Sequence, residues 1–206
     1  MIKSKFNKKR LTEYNIKKYL LEKYPDCGES IISVNRKVIN MEGFCQSDYG
    51  IPKDSDCTLT SIMTCIYYYL KNQLNDVAIY NTVRKTANKY FFSSSFGTNP
   101  IIIKNIYDKS LKAFNINYKT KSGYLKNIGY NLAAIKNSIN KNNPVIISMF
   151  NDGRDYYKNH SIVIIGYETF KIKEKKVDML IVYDNWGKSK SYIDYNTISI
   201  ISCINF

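Results

Sequence analysis

Histidine is almost absent from this chain: His160 is the only one among its 206 residues. No second imidazole can therefore serve as a base, but a Cys/His enzyme needs only one. The cysteines also lack a pattern. Five of them, none in a CxxC pair, argue against a zinc site, and their odd number argues against a disulfide framework. The sequence accordingly predicts neither a metal nor a cofactor.

Long apolar runs are absent as well. No run approaches the ~20 residues needed to span a bilayer, so the sequence predicts no transmembrane segment. Residues 1–10 are basic, predict a frayed arm, and lack the apolar stretch of a signal peptide. An exported form would have lost its signal by processing. Cytoplasmic and secreted locations therefore both remain open, as does the oligomeric state.

Acidic residues are outnumbered by basic residues, and the formal net charge is +14. The basic residues are dispersed rather than clustered on one helix or tail, and the nineteen tyrosines form no RNP-like pattern with them. We therefore interpret the charge as lysine spread over solvated faces, which disfavours nucleic acid as a partner. An anion-binding protein remains the alternative, and its binding would show a steep salt dependence.

Hydrophobic spacing divides the chain into a helical first part and a strand-rich last part. Helices are predicted at 11–23, 57–70, 100–114 and 131–140, and strands at 145–149, 161–167, 178–183, 191–194 and 197–204. Residues 26–56 are rich in Gly, Ser, Asp and Asn and contain short strand-like pieces, and they predict an irregular approach loop. The fold class is thus α+β, in a single domain over 1–206 with a mainly helical lobe (1–120) and a mainly β lobe (121–206).

Cys57 stands at the start of the predicted 57–70 helix. Unpaired N–H groups and the positive end of the helix dipole lower the pKa of a thiol there and can stabilise an oxyanion. The preceding Asp56 suits a helix N-cap but disfavours a thiolate, so an imidazolium partner becomes more important. Cys65 within the helix and Cys203 in a strand lack this activation. The plain alternative is that Cys57 is also only a buried small hydrophobe.

His160 opens a predicted strand and is the candidate base, because neutral imidazole can take a proton from a thiol or hold it as an ion pair. Asp184 follows the next apolar run and is the candidate orienter of the ring. Trp186 would cover their hydrogen bond and exclude water. The plain alternatives are a surface histidine and an ordinary Asp-Asn-Trp-Gly turn.

Four short motifs carry a resemblance to the papain-like cysteine peptidases. His160-Ser-Ile-Val-Ile-Ile-Gly-Tyr167 resembles the family's His-Ala-Val-x-x-Val-Gly-Tyr strand, and Asp184-Asn-Trp-Gly187 resembles its Asn-Ser-Trp-Gly motif. Asp56-Cys57-Thr-Leu-Thr-Ser61 is similar to the Asn/Asp-Cys-Gly-Pro-Thr-Ala box of a bacterial branch, the peptidases that trim double-glycine leaders from bacteriocins. Pro144-Val-Ile-Ile-Ser148 resembles the strand before the histidine. The four motifs lie in order within residues 44–187.

The resemblance implies a papain-like fold and a catalytic triad of Cys57, His160 and Asp184. Alignment on the Trp-Gly pair places the orienter on Asp184, with Asn185 as the alternative, and places Trp186 against the cleft. The Asp is characteristic of the bacterial branch.

The chain departs from the family pattern at two positions. Thr58 stands where the family often has Gly, and Ile51 stands where its oxyanion-hole Gln commonly lies. Gln46 is the nearest upstream Gln and would reach the site by a longer approach, with Ser55 as the fallback donor.

These residues predict a cysteine peptidase that cleaves a peptide or protein substrate through an acyl-enzyme. One alternative is a transglutaminase-like acyl transferase on the same triad, which differs only in the acceptor. A second is a catalytically inactive, peptide-binding pseudopeptidase, which the displaced Gln would favour.

Overall fold

The structure is a computed structural model, and it describes residues 9–25, 30–49, 55–71, 73–90, 92–93, 97–126, 128, 130–150, 156–157 and 159–205. Cys27 and Ile51 lie outside these residues. The helices within them are α1 (Ile16–Lys23), α2 (Cys57–Tyr69), α3 (Asp76–Asn88), α4 (Ile103–Ala113) and α5 (Leu132–Asn140). The predicted helices are confirmed for α2, α4 and α5, whereas α1 begins five residues later than the apolar spacing predicts.

The strands form an antiparallel sheet around a long central strand. They are β1 (Ile31–Val38), β2 (Lys121–Tyr124), β3 (Val145–Met149), β4 (His160–Ile172), β5 (Lys175–Tyr183), β6 (Ser191–Asp194) and β7 (Ile200–Asn205). Their order is β2-β7-β3-β4-β5-β6, and β1 also pairs with β4. The first half of β4 pairs with β3, its second half pairs with β1, and β5 lies along its other edge. This mixture of helices and antiparallel sheet confirms the predicted α+β class.

Strand β1 corrects the prediction of an irregular loop over 26–56. It pairs with the end of β4 from Ile31↔Ile172 to Val38↔Gly166, with a register shift between Ser33 and Asn35. Most of its residues are exposed, so it lacks the alternation of apolar and polar residues that marks a half-buried strand. Its conformation therefore depends on the partner strand, which lies far away in sequence.

Helix α3 was not predicted, although its signals are present in the sequence. The Asn75 side chain caps it by accepting the N–H groups of Val77 and Ala78. Its buried face contains Ile79, Tyr80, Val83 and Ala87. A cap followed by apolar residues at this spacing is the usual mark of an amphipathic helix.

Helix α2 runs through the core and determines where Cys57 lies. Every residue from Thr58 to Ile66 is buried, so the helix has no solvated face over this length. It packs against β4 on one side and α3 on another. The start of α2 is consequently held against the start of the central strand. None of the helices in the described part of the chain is long and apolar enough to cross a membrane.

Candidate active site

Cys57 and His160 are the first residues of two elements that begin at the same place, α2 and β4. The N–H of Ser161, the residue after His160, donates to the Cys57 Sγ at 3.4 Å. Cys57 and His160 also line the same cavity. The structure thus brings the predicted nucleophile and the predicted base side by side.

The two groups favour each other's charged forms. Burial raises the pKa of Cys57, but the hydrogen bond and charge of His160 and the N–H of Ser161 outweigh it, and the pKa lies below its ordinary value. Burial lowers the pKa of His160, but the hydrogen bond and charge of Cys57 and the contact with Asp184 outweigh it, and the pKa lies above its ordinary value. Both shifts favour a thiolate–imidazolium pair.

Three buried hydroxyl groups connect the start of α2 to the sheet. The Ser161 hydroxyl shares hydrogen bonds of 2.8 Å with Thr58 on one side and with Ser148 of β3 on the other. Thr58 is the residue that replaces the family's Gly. Its side chain therefore has a specific partner in the sheet, and it also helps to lower the pKa of Cys57.

The second nitrogen of the His160 ring faces the main chain of Asp184. His160 Nε2 lies 2.6 Å from the Asp184 carbonyl oxygen. Because a carbonyl only accepts, Nε2 carries the proton, and Nδ1 is left for the thiol. Trp186 stacks on the imidazole with ring centroids 4.4 Å apart, and Tyr157 lies parallel to it at 5.8 Å.

The Asp184 carboxylate is completely buried and engages other groups. Arg10 donates to it from Nε at 2.5 Å and from Nη2 at 3.0 Å. The hydroxyls of Tyr157 (3.0 Å) and Ser191 (2.8 Å) and the main-chain N–H of Trp186 (3.2 Å) also donate to it. The structure therefore differs from the predicted geometry, since Asp184 meets His160 through its carbonyl oxygen rather than through its side chain.

Asn185, the alternative orienter, connects α2 to β4. Its Nδ2 lies within 2.9 Å of the Cys57 carbonyl, the Ser61 hydroxyl and the Ser161 carbonyl. Its φ of 62° is a left-handed conformation that asparagine tolerates better than most residues. These contacts hold the first turn of the helix against the first residues of the strand, and they do not involve the imidazole.

Gln46 lies beside Asn185. Its N–H donates to the Asn185 carbonyl at 2.8 Å, and within the described residues its buried side-chain oxygen has no hydrogen-bond partner. Ser55, the fallback donor, packs against Gly97. A Cβ at Gly97 would lie 3.0 Å from that of Ser55, and its φ of +74° also favours glycine there.

Asp56 is the second buried carboxylate near the thiol. It accepts a hydrogen bond from the Tyr80 hydroxyl and pairs with Arg84 Nη1 at 3.3 Å. Both partners belong to α3. The charge next to Cys57, which the sequence predicts to disfavour a thiolate, is therefore offset by a guanidinium.

A cavity of about 650 Å³ opens beside Cys57 and His160. Its walls come from the start of α2, the facing ends of β3 and β4, and residues 97–100. Thr58, Ser148 and Ser161 line it, and no Asp, Glu, Lys or Arg occurs among the described residues of its wall. Trp186, predicted to line the cleft, does not line this cavity and instead stacks on the imidazole.

Arg10 and Tyr157 are the site residues that sequence reasoning missed. Arg10 belongs to the segment predicted to be a frayed arm, and no local pattern links it to Asp184. No group of three or more His, Cys, Asp or Glu side chains that could hold a metal occurs in the part of the chain that the structure describes.

Comparison with known families places these residues in context. The family model described as the Peptidase_C39 like family matches residues 38–201, which include Gln46, Cys57, His160 and Asp184. A search of curated proteins returned no match. The family match confirms the resemblance to papain-like cysteine peptidases of the bacteriocin leader branch. The chain therefore belongs to the Peptidase_C39 like family.

Proposed function

We propose that the chain is a cysteine peptidase that cleaves peptide bonds through a triad of Cys57, His160 and Asp184. The observation that carries this proposal is the position of Cys57 and His160 side by side in the wall of one cavity of about 650 Å³, with the Cys57 sulfur bound by the N–H of the next residue, Ser161, at 3.4 Å. Membership of a peptidase-like family supports peptidase activity and a peptide or protein as the substrate.

The reaction begins with the thiolate–imidazolium pair. The Cys57 sulfur attacks the carbonyl carbon of the scissile bond, and the carbonyl oxygen becomes an oxyanion. As the intermediate collapses, His160 gives its proton to the leaving amine, and an acyl-enzyme remains. The neutral imidazole then takes a proton from water as the water attacks the thioester, and the acid product leaves with the thiolate restored.

The oxyanion requires donors close to Cys57. The first-turn N–H groups of α2 are candidates, because the first N–H groups of a helix have no partner within it. Gln46 is the candidate side-chain donor, supported by its contact with Asn185. Asp184 would complete the triad because its carbonyl oxygen accepts a hydrogen bond from the Nε2–H group of His160, which leaves Nδ1 for the thiol.

The proposed architecture is a single papain-like domain over 1–206, with the cleft between a lobe of residues 1–120 and a lobe of residues 121–206. Support comes from α2, which supplies Cys57 from the first part, and from β4 and the turn after β5, which supply His160 and Asp184 from the second. Strand β1 is an exception, because it belongs to the first part but pairs with β4.

The test is the rate at which iodoacetamide labels Cys57, measured peptide by peptide with mass spectrometry and compared with Cys45 in the same molecule. We expect Cys57 to react at least ten times faster than Cys45 at pH 6, and this advantage to disappear in H160A. Because no other histidine exists, no second imidazole can compensate. Equal rates for the two thiols would contradict the proposal.

Turnover is tested with a library of peptides in water and in the presence of a primary amine. We expect free acid products that depend on Cys57. Amine-coupled products in preference to acids would instead identify the acyl transferase. Fast labelling of Cys57 with no product of either kind would identify the inactive peptide-binding protein.

A further inference from the structure

The Asp184 carboxylate has no position left for the imidazole. An ionised carboxylate offers about four lone-pair sites. Five donors from Arg10, Tyr157, Trp186 and Ser191 already surround this one. The arrangement therefore excludes the direct bond between carboxylate and His160 that the triad would otherwise have, and it leaves only the carbonyl oxygen for the ring.

Arg10 is the cation in this cluster, and it is held at several points. Its Nη1 and Nη2 donate to the hydroxyl and carbonyl of Ser189, at 3.0 and 2.9 Å. The neighbouring Leu11 forms an antiparallel bridge with Tyr192 of β6, whose N–H donates to the Leu11 carbonyl at 2.9 Å. A planar guanidinium with two bonds to one carboxylate fixes both its distance and its plane.

The same carboxylate contacts both residues whose rings pack on His160. The main-chain N–H of Trp186 donates to Oδ1, and the Tyr157 hydroxyl donates to Oδ2. Burial, together with the charge of Asp184, raises the pKa of Tyr157, so its hydroxyl stays protonated and keeps donating. The ring of His160 thus packs against Trp186, Tyr157 and the Asp184 carbonyl, and the Asp184 carboxylate binds the Tyr157 side chain and the Trp186 main chain.

From these contacts we infer that Arg10 is a positioning residue of the active site, which acts on His160 through the Asp184 carboxylate. This inference rests on the proposed function and assigns to residues 10–11 a part in orienting the base. Arg10 also compensates the charge of Asp184, so that the imidazole lies next to a neutral pair instead of a free anion. The titratable groups that face His160 are then Cys57 from α2, Tyr157 before β4, and Asp184 with its arginine.

The central variant is R10Q, and K136Q is its matched control. Lys136 of α5 also pairs with an aspartate, Asp178, and its side chain is 23% exposed, against 26% for that of Arg10. It bonds to Thr169, near the other end of β4 from His160. Two readouts are used for each variant: the titration of the His160 ring followed by nitrogen NMR, which is unambiguous with one histidine, and the rate of Cys57 labelling.

We expect R10Q to raise the midpoint of the His160 titration by about one pH unit, because the Asp184 charge is no longer compensated. The same charge disfavours the thiolate, so labelling of Cys57 at pH 6 should slow by about tenfold. R10K keeps the charge but not the bidentate contact, so its His160 midpoint and its Cys57 labelling rate should lie between those of R10Q and the wild type. K136Q should match the wild type in both readouts.

The route of the effect is tested in a D184N background, where the carboxylate that joins Arg10 to Tyr157 and to the main chain of Trp186 is replaced by a neutral amide. There the loss of the cation itself still moves the His160 midpoint, but R10Q should leave the tautomer and the ring NMR signals of His160 as they are in D184N alone. A change in these ring signals that is equal in both backgrounds would overturn the inference, because Arg10 would then orient the ring independently of the carboxylate. R10Q behaving like K136Q would also overturn it, since Arg10 would only contribute stability.

If R10Q does not fold, R10K tests the inference in its place. An R10K variant whose His160 midpoint and Cys57 labelling rate are both identical to those of the wild type would overturn the inference. Failure of the proposed function gives a different result. It would appear as slow labelling of Cys57 in the wild-type chain. Fast wild-type labelling that R10Q leaves unchanged removes only the role of Arg10.

Discussion

Two buried aspartates flank the candidate active site, and each is held by a tyrosine hydroxyl and an arginine. Asp56 precedes the thiol and is held by Tyr80 and Arg84 of one neighbouring helix. Asp184 follows β5 and is held by Tyr157 and Arg10, which come from two distant parts of the chain. The first cluster therefore forms when two adjacent helices pack, whereas the second requires the sheet and residues 10–11 to be in place.

The two clusters also differ in what they control. Asp56 directly precedes Cys57, and its charge is paired with Arg84. The Asp184 carbonyl accepts from the His160 ring, and its carboxylate binds the Tyr157 hydroxyl and the Trp186 main chain. Under the proposed function, one aspartate would therefore act mainly on the nucleophile and the other mainly on the orientation of the base.

The largest expected effect is that of D184A on stability. The substitution removes a fully buried carboxylate and leaves the Arg10 guanidinium and the other donors without their acceptor. We expect a loss of about 3–5 kcal/mol in the free energy of unfolding, measured by urea denaturation. A loss below about 1 kcal/mol would contradict the prediction that the contacts of the Asp184 carboxylate stabilise the fold strongly.

D56A should cost less, about 2–3 kcal/mol, because Tyr80 and Arg84 also hydrogen-bond to each other on α3, and this bond does not require the carboxylate. The same urea experiment measures the difference. If D56A were more destabilising than D184A, the Asp56 cluster would contribute more to stability than the Asp184 cluster, contrary to the prediction.

The pH dependence of Cys57 labelling distinguishes the two sides of the ion pair. The lowered pKa of Cys57 keeps the thiolate populated until the pH falls through that pKa. The raised pKa of His160 keeps the imidazolium until the pH rises through that value. D184N leaves the Arg10 cation without its anion near the imidazolium, so the upper limit should fall by about one pH unit, or ~1.4 kcal/mol. An upper limit that stays in place would show that the charges of Asp184 and Arg10 do not reach His160.

The smallest expected effects come from the two tyrosines. Y157F and Y80F each remove one hydroxyl that donates to a buried carboxylate, at a cost of about 1 kcal/mol in unfolding experiments. Y157F should also change the ring NMR signals of His160, since Tyr157 lies parallel to that ring, whereas Y80F should not. Identical NMR effects would indicate that the clusters are not independent.

Local sequence patterns predict much of the fold and of the candidate site. Apolar spacing located α2, and strands β3 and β6 have the predicted bounds. The motifs around Cys57 and His160 led to the family that the family model confirms. Helix α3 also carries its cap and its apolar face in the sequence, so local patterns suffice to predict it. Residues 26–56 showed only short strand-like pieces, and the extent of strand β1 could not be predicted, because its exposed residues carry no alternation and pairing with β4 defines it.

The sequence by itself determined that one thiol and one imidazole would begin two buried elements, because hydrophobic periodicity and helix-start signals are local. Only the tertiary structure decided which atoms meet. His160 contacts the carbonyl of Asp184, while the carboxylate of that residue binds Arg10. The physical reason is that a buried charge must find a compensating partner wherever the fold brings one within reach, and no local pattern records which distant cation that will be.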